Sequence, residues 1–140
     1  MIKRILFGFT EIKNENVNFG LLILRLFAGL SIALAHGLHK WPPSEGFIER
    51  TADMGFPAPA LFAWLAALSE FVGGLLIALG LATRPTALFA GITVGVAAFL
   101  RHAEDPYSGK EKALLFFFIF LFLFITGSGK YSFDRLINRN

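Results

Sequence analysis

Apolar residues along this chain fall into four long blocks separated by short polar breaks. The first block follows the polar residues 14–18 and continues to Lys40. Trp41-Pro42-Pro43 ends it, because proline has no N–H to donate and its ring clashes with the preceding turn. Residues 44–59 are too polar to cross a membrane. Phe47, Ile48, Thr51 and Ala52 give them at most a short amphipathic surface turn. The second block is closed by Thr83-Arg84-Pro85, the third by the polar loop around Asp105-Pro106, and the fourth by Gly127-Ser128-Gly129. The blocks predict membrane spans at about 17–40, 60–82, 85–101 and 111–127. The last has only about fifteen strictly apolar residues against the ~20 a bilayer needs, so flanking residues or local thinning must supply the remaining depth. Ahead of the spans, Ile2, Ile5, Leu6, Phe9 and Ile12 recur at helical spacing while Lys3 and Arg4 fall elsewhere. Residues 1–16 are therefore expected to form an interfacial amphipathic helix. Residues 128–140 read as a polar tail.

Composition supports lipid as the solvent. Charged residues make up 16% of the chain, where a soluble domain carries about a quarter. Seventeen phenylalanines accompany two methionines and no cysteine. Without cysteine there is no disulfide, no thiol nucleophile and no cysteine-ligated metal or cluster, so redox work must use a bound ligand or a partner subunit. The net charge of +3 is not gathered into a basic stripe interleaved with aromatics, and no nucleic-acid partner is expected. No cleavable signal pattern opens the chain.

The expected fold class is all-α: an integral membrane four-helix bundle, up-down-up-down, with both termini on one side. That side carries Lys3, Arg4, Lys13, Arg84, Lys130, Arg135 and Arg139; the other carries Lys40, Arg50, Arg101, Lys110 and Lys112. The positive-inside rule then puts both termini in the cytoplasm of a multi-pass inner-membrane protein.

Two opposite charges interrupt the apolar blocks. Arg25 lies in the first and Glu70 in the second, and an ionisable residue at membrane depth costs at least ~2.5–3.5 kcal/mol on insertion scales, so a partner is expected. Gly29-Leu30-Ser31-Ile32-Ala33-Leu34 matches Gly74-Leu75-Leu76-Ile77-Ala78-Leu79 at five of six positions. Arg25 and Glu70 each stand four residues before the matched glycine. Ala66, Glu70, Gly74 and Ala78 recur every four residues, a face built for close helix packing. These features predict an Arg25–Glu70 ion pair in the bundle interior. Such a pair could serve only to fix helix register, or it could handle a ligand or protons.

The three histidines, His36, His39 and His102, fall at the non-cytoplasmic ends of the first and third blocks. His36 and His39 lack the i,i+4 spacing usual for a helical ligand pair, and no metal is expected. Arg25, His36, His39, Lys40, Glu70, Arg101 and His102 are the candidate ligand-binding residues, with Glu70 and His36 as proton-handling candidates. Gly91-x-x-x-Gly95 allows close packing, internally or across a homodimer seam.

Several motifs together resemble the DoxX family. Gly20-Leu21-Leu22-Ile23-Leu24-Arg25-Leu26 and Ala35-His36-Gly37-Leu38-His39-Lys40 are similar to its first helix. Gly55-Phe56-Pro57-Ala58-Pro59 and Leu65-Ala66-Ala67-Leu68-Ser69-Glu70-Phe71-Val72-Gly73-Gly74 are similar to its loop and second helix. Leu79-Gly80-Leu81-Ala82-Thr83-Arg84 is similar to its next turn, and Gly129-Lys130-Tyr131-Ser132-Phe133-Asp134 to its C-terminal signature. Arg25, His36, Lys40, Glu70, Arg84 and His102 fall where the family pattern has polar residues. The resemblance implies a four-helix membrane protein associated with quinone-linked redox chemistry. Relatives serve as subunits of a thiosulfate:quinone oxidoreductase or of terminal oxidase systems, or as membrane partners of detoxifying redox enzymes. The expected function is a subunit or accessory of a quinone-linked oxidoreductase, holding a quinone or a small anion in a polar cleft beside a soluble or membrane redox partner. Two alternatives use the same residues: a non-enzymatic membrane scaffold, and a small-solute carrier.

Overall fold

The computed structural model describes residues 11–138. Most of the segment expected to form the interfacial N-terminal helix lies outside the described residues. Helix α1 (Glu15–Ser31) continues through a π-helical segment (Ile32–Gly37) and a 3-10 turn (Leu38–Lys40). A short helix α2 (Glu45–Asp53) comes next, then α3 (Pro59–Leu79) and α4 (Thr83–Val96), whose last turns (Ala97–Arg101) are again π-helical. Helix α5 (Tyr107–Thr126) and the short α6 (Phe133–Asn138) complete the chain, with no strand among the described residues.

Local chemistry sets the boundaries. The Asn14 side chain accepts from the N–H groups of Asn16 and Val17, and the Ser44 hydroxyl accepts from Phe47, so α1 and α2 begin at side-chain caps. Pro59 occupies the first turn of α3, where its missing N–H costs nothing. Gly80 ends that helix in the left-handed region at φ 69°. Both π segments close with i→i−5 bonds, Leu38 N–H to Ala33 and His102 N–H to Ala97.

Among the described residues, three helices are long and apolar enough to cross a membrane: Glu15–Lys40, Pro59–Leu79 and Thr83–Arg101. Helix α5 is 20 residues long and carries Lys110, Glu111 and Lys112 near its start. Large apolar side chains such as Phe27, Leu65, Phe89, Phe118 and Ile125 are exposed around the assembly. That much apolar surface facing outward is the mark of a protein solvated by lipid.

Small residues set the packing. A methyl at Gly29 would lie 2.5 Å from the Gly74 carbonyl oxygen, and one at Gly74 would lie 2.6 Å from that of Gly29. The two matched segments therefore cross at their shared glycine, antiparallel. Nearer the end of the first span, Gly37 rests on the backbone of Glu70 and Phe71. The Gly91/Gly95 face lies under Phe120 and Phe117 of α5, so this glycine pair serves internal packing. Leu21, Ala28, Ile32, Ile77, Ala87, Ala90, Val94, Phe120 and Leu123 form the buried apolar core.

Candidate functional site

The expected Arg25–Glu70 ion pair does not form. Glu70, 2% exposed, accepts from Lys40 Nζ at 2.7 Å on each carboxylate oxygen. Arg25, fully buried, donates from Nη2 to the Tyr131 carbonyl, and the charge acting on it is that of Asp134. The reason is geometric. Arg25 and Glu70 each precede the meeting glycine by four residues, but their helices run in opposite directions. They therefore lie on opposite sides of the crossing, about 12 Å apart along the axis at 1.5 Å per residue. The matched segments were the right signal, and antiparallel packing reverses what they imply. Lys40 lies on the same side of the crossing as Glu70, and its flexible stem spans the remaining gap.

The π segment contributes as well. One extra residue in a turn rotates every later residue by roughly 100° around the helix relative to a 3.6-residue pattern. Lys40 is delivered to Glu70 from that altered path, close to where Gly37 lets the two backbones touch.

Around this pair stand the other groups of the site. His36 is half-buried, one turn before Lys40 on the same span. Its ring meets Phe116 edge-on at 5.9 Å, and Phe116 stacks on Phe120 at 5.8 Å. The Lys40 ammonium lies 5.5 Å from the centre of the Phe47 ring, so α2 covers the pair from outside. Trp41 packs edge-on against Trp64 at 5.3 Å and beside Phe71 at 6.0 Å. The Lys40 side chain keeps 30% of its surface exposed, against 3% for that of Glu70. The site thus presents a reachable cation backed by a buried carboxylate, flanked by an imidazole and walled by aromatic rings.

The remaining sequence candidates are dispersed. His39 is exposed. His102 bonds Asp105 at 2.6 Å in the loop after α4. Arg101 lines a separate cleft with Arg50 and Asp53. Among the described residues, no group of three His, Asp or Glu side chains converges as metal ligands.

Arg25 belongs to a second polar cluster that the pattern of apolar blocks did not reveal. Residues 128–138 fold back over the end of the bundle opposite Lys40. The Lys130 N–H donates to Asn18 Oδ1 at 2.9 Å, and Lys130 Nζ pairs with Glu15, which also accepts from the Tyr131 hydroxyl at 3.0 Å. The buried Asp134 carboxylate accepts from the N–H groups of Ala82 at 2.7 Å and Thr83 at 3.0 Å. It caps α4 from 52 residues away, where Ala82, at φ 49°, offers no capping side chain. The Gly129-to-Asp134 motif was the available signal. It was legible as a motif but not as a structural clasp.

A family model described as DoxX matches residues 20–103. The chain belongs to the DoxX family, a family of membrane proteins. It is 30% identical over 125 residues to the putative oxidoreductase CatD of Bacillus subtilis, covering 89% of this chain and 91% of that one. Inner membrane protein YqjF of Escherichia coli is 40% identical over 103 residues, covering 69% and 73% of the two chains. An uncharacterized protein of Haemophilus influenzae is 34% identical over 139 residues, covering 92% and 91%. No solved structure matches the chain.

Proposed function

We propose that this protein is the membrane subunit or accessory of a quinone-linked oxidoreductase, and that the Lys40–Glu70–His36 site holds the quinone head group. In this reading α5 joins the three apolar spans as a fourth crossing of the inner membrane. Both termini lie in the cytoplasm. The observation that carries the proposal is the asymmetric burial of the Lys40–Glu70 pair. A lysine with exposed surface can donate to a quinone carbonyl, while the buried carboxylate behind it holds the ammonium in place.

The chemistry is that of hydrogen bonding and proton handling. Oxidation of a quinol releases two electrons and two protons. With a quinone bound, Glu70 and His36 would be the groups that exchange those protons, and the redox partner would exchange the electrons. Phe116, partly buried beside His36, offers a ring face for the head group. A relative named as a putative oxidoreductase supports the same reading. A small anion would use the same cation, competing with the quinone carbonyl.

The test is extraction of quinone from the purified protein, together with an assay of quinone-linked oxidation in membranes. Wild-type protein should carry quinone, and Glu70→Gln and Lys40→Met should lose it together with activity. Wild-type protein free of quinone, with both variants unchanged in membrane oxidation, would leave the scaffold reading in its place.

A further inference from the structure

A cleft of about 350 Å³ lies away from the Lys40–Glu70 site, lined by Arg50, Asp53, Met54, Leu100 and Arg101. Its size falls within the roughly 300–1,000 Å³ of small-ligand sites. Its two arginines come from different elements, Arg50 from the surface helix α2 and Arg101 from the last turn of the α4 span. Both are exposed, and neither guanidinium makes a hydrogen bond or ion pair with any described residue. The Asp53 carboxylate lines the same cleft without forming a salt bridge to either. Two unpaired guanidinium forks facing one cavity are suited to a phosphate, which accepts paired N–H donors from each.

Position and charge favour one source of that phosphate. Leu100 is exposed and immediately precedes Arg101 at the end of a helix apolar enough to cross a membrane, so a bilayer around that span would set the cleft at the level of phospholipid headgroups. Leu100 and Met54 give it an apolar side. Two arginines and one aspartate leave a net charge of +1. That matches the single charge of a phosphodiester better than the double charge of a free phosphate. Asp53 could also accept from headgroup hydroxyls.

We propose that this cleft is a binding site for the phosphodiester headgroup of an anionic phospholipid, with Arg50 and Arg101 as the phosphate ligands and Asp53 as the hydroxyl acceptor.

Native mass spectrometry of the detergent-purified protein, offered phosphatidylglycerol and phosphatidylcholine in equal amounts, tests it. Wild-type protein should retain phosphatidylglycerol preferentially. Arg50→Gln and Arg101→Gln should each reduce that preference roughly fivefold, and the double variant should abolish it. Millimolar inorganic phosphate should not displace the lipid from wild-type protein, and should begin to do so in Asp53→Asn. Thermal unfolding in phosphatidylcholine alone should be unchanged in the arginine variants, since neither side chain bonds to the protein. Equal retention of the two lipids by wild-type protein, or undiminished preference in the double variant, would overturn the proposal. Ready displacement by inorganic phosphate from wild-type protein would overturn the lipid assignment in favour of a free phosphate.

Discussion

Lys40 holds both carboxylate oxygens of Glu70 at 2.7 Å, across an interface where Gly37 touches the backbone of Glu70 and Phe71. The pair is unequal: the carboxylate is buried, and the ammonium keeps a route to the surface. Removing either partner therefore has different consequences. Lys40→Met strands a buried carboxylate and should cost about 2–3 kcal/mol, below the usual range for a fully buried pair because Lys40 is partly exposed. Glu70→Gln leaves an amide that still accepts a hydrogen bond, and should cost about 1 kcal/mol. The double variant should resemble Glu70→Gln. Thermal unfolding of the four proteins in one detergent checks the order.

The glycines at the α1–α3 crossing should respond to substitution according to what each one touches. Gly29→Ala and Gly37→Ala push a methyl into backbone, which cannot rotate away, and should each cost about 1–3 kcal/mol. Gly20→Ala, on the same helix with nothing within 4 Å of the new methyl, should stabilise by about 0.5–1 kcal/mol. Equal effects at Gly20 and Gly37 in thermal unfolding would contradict the close approach.

Asp134 should matter more than its place in a C-terminal tail suggests. Asp134→Ala removes the acceptor of two helix-terminal N–H groups and the charge acting on buried Arg25, and should cost about 2 kcal/mol or more. Tyr131→Phe loses one exposed hydrogen bond to Glu15 and should stay within about 0.5 kcal/mol of wild type. Limited proteolysis provides a second readout, with cleavage after Gly127 accelerated in Asp134→Ala and unchanged in Tyr131→Phe.

The all-helical class and the three apolar spans were legible because lipid demands long uninterrupted apolar runs, which stand out in any sequence. The proline stop at Pro42-Pro43 was equally plain, whereas the second span, expected to run to about residue 82, ends at Leu79 with Gly80 in the left-handed region. Partner choice inside the bundle was less accessible. Arg25 and Glu70 share a register position, and only the antiparallel crossing at Gly29 and Gly74 shows that this separates them. The π segment at Ile32–Gly37 has no counterpart in a 3.6-residue pattern, so the route of Lys40 to Glu70 stayed hidden. The role of Asp134 was hidden for another reason. Its partners Ala82 and Thr83 are 52 and 51 residues away, and backbone N–H groups leave no trace in side-chain patterning.

The two tryptophans of the chain, Trp41 and Trp64, pack together beside the Lys40–Glu70 pair and provide an intrinsic probe of it. The most direct measurement is titration of purified protein with a short-chain quinone, read by tryptophan fluorescence. Expected is saturable quenching in wild-type protein, with affinity weakened about tenfold or more in Glu70→Gln and Lys40→Met as charge-assisted hydrogen bonding is lost. Quenching that rises linearly without saturation, or equal affinity in all three proteins, would contradict a quinone site at Lys40 and Glu70.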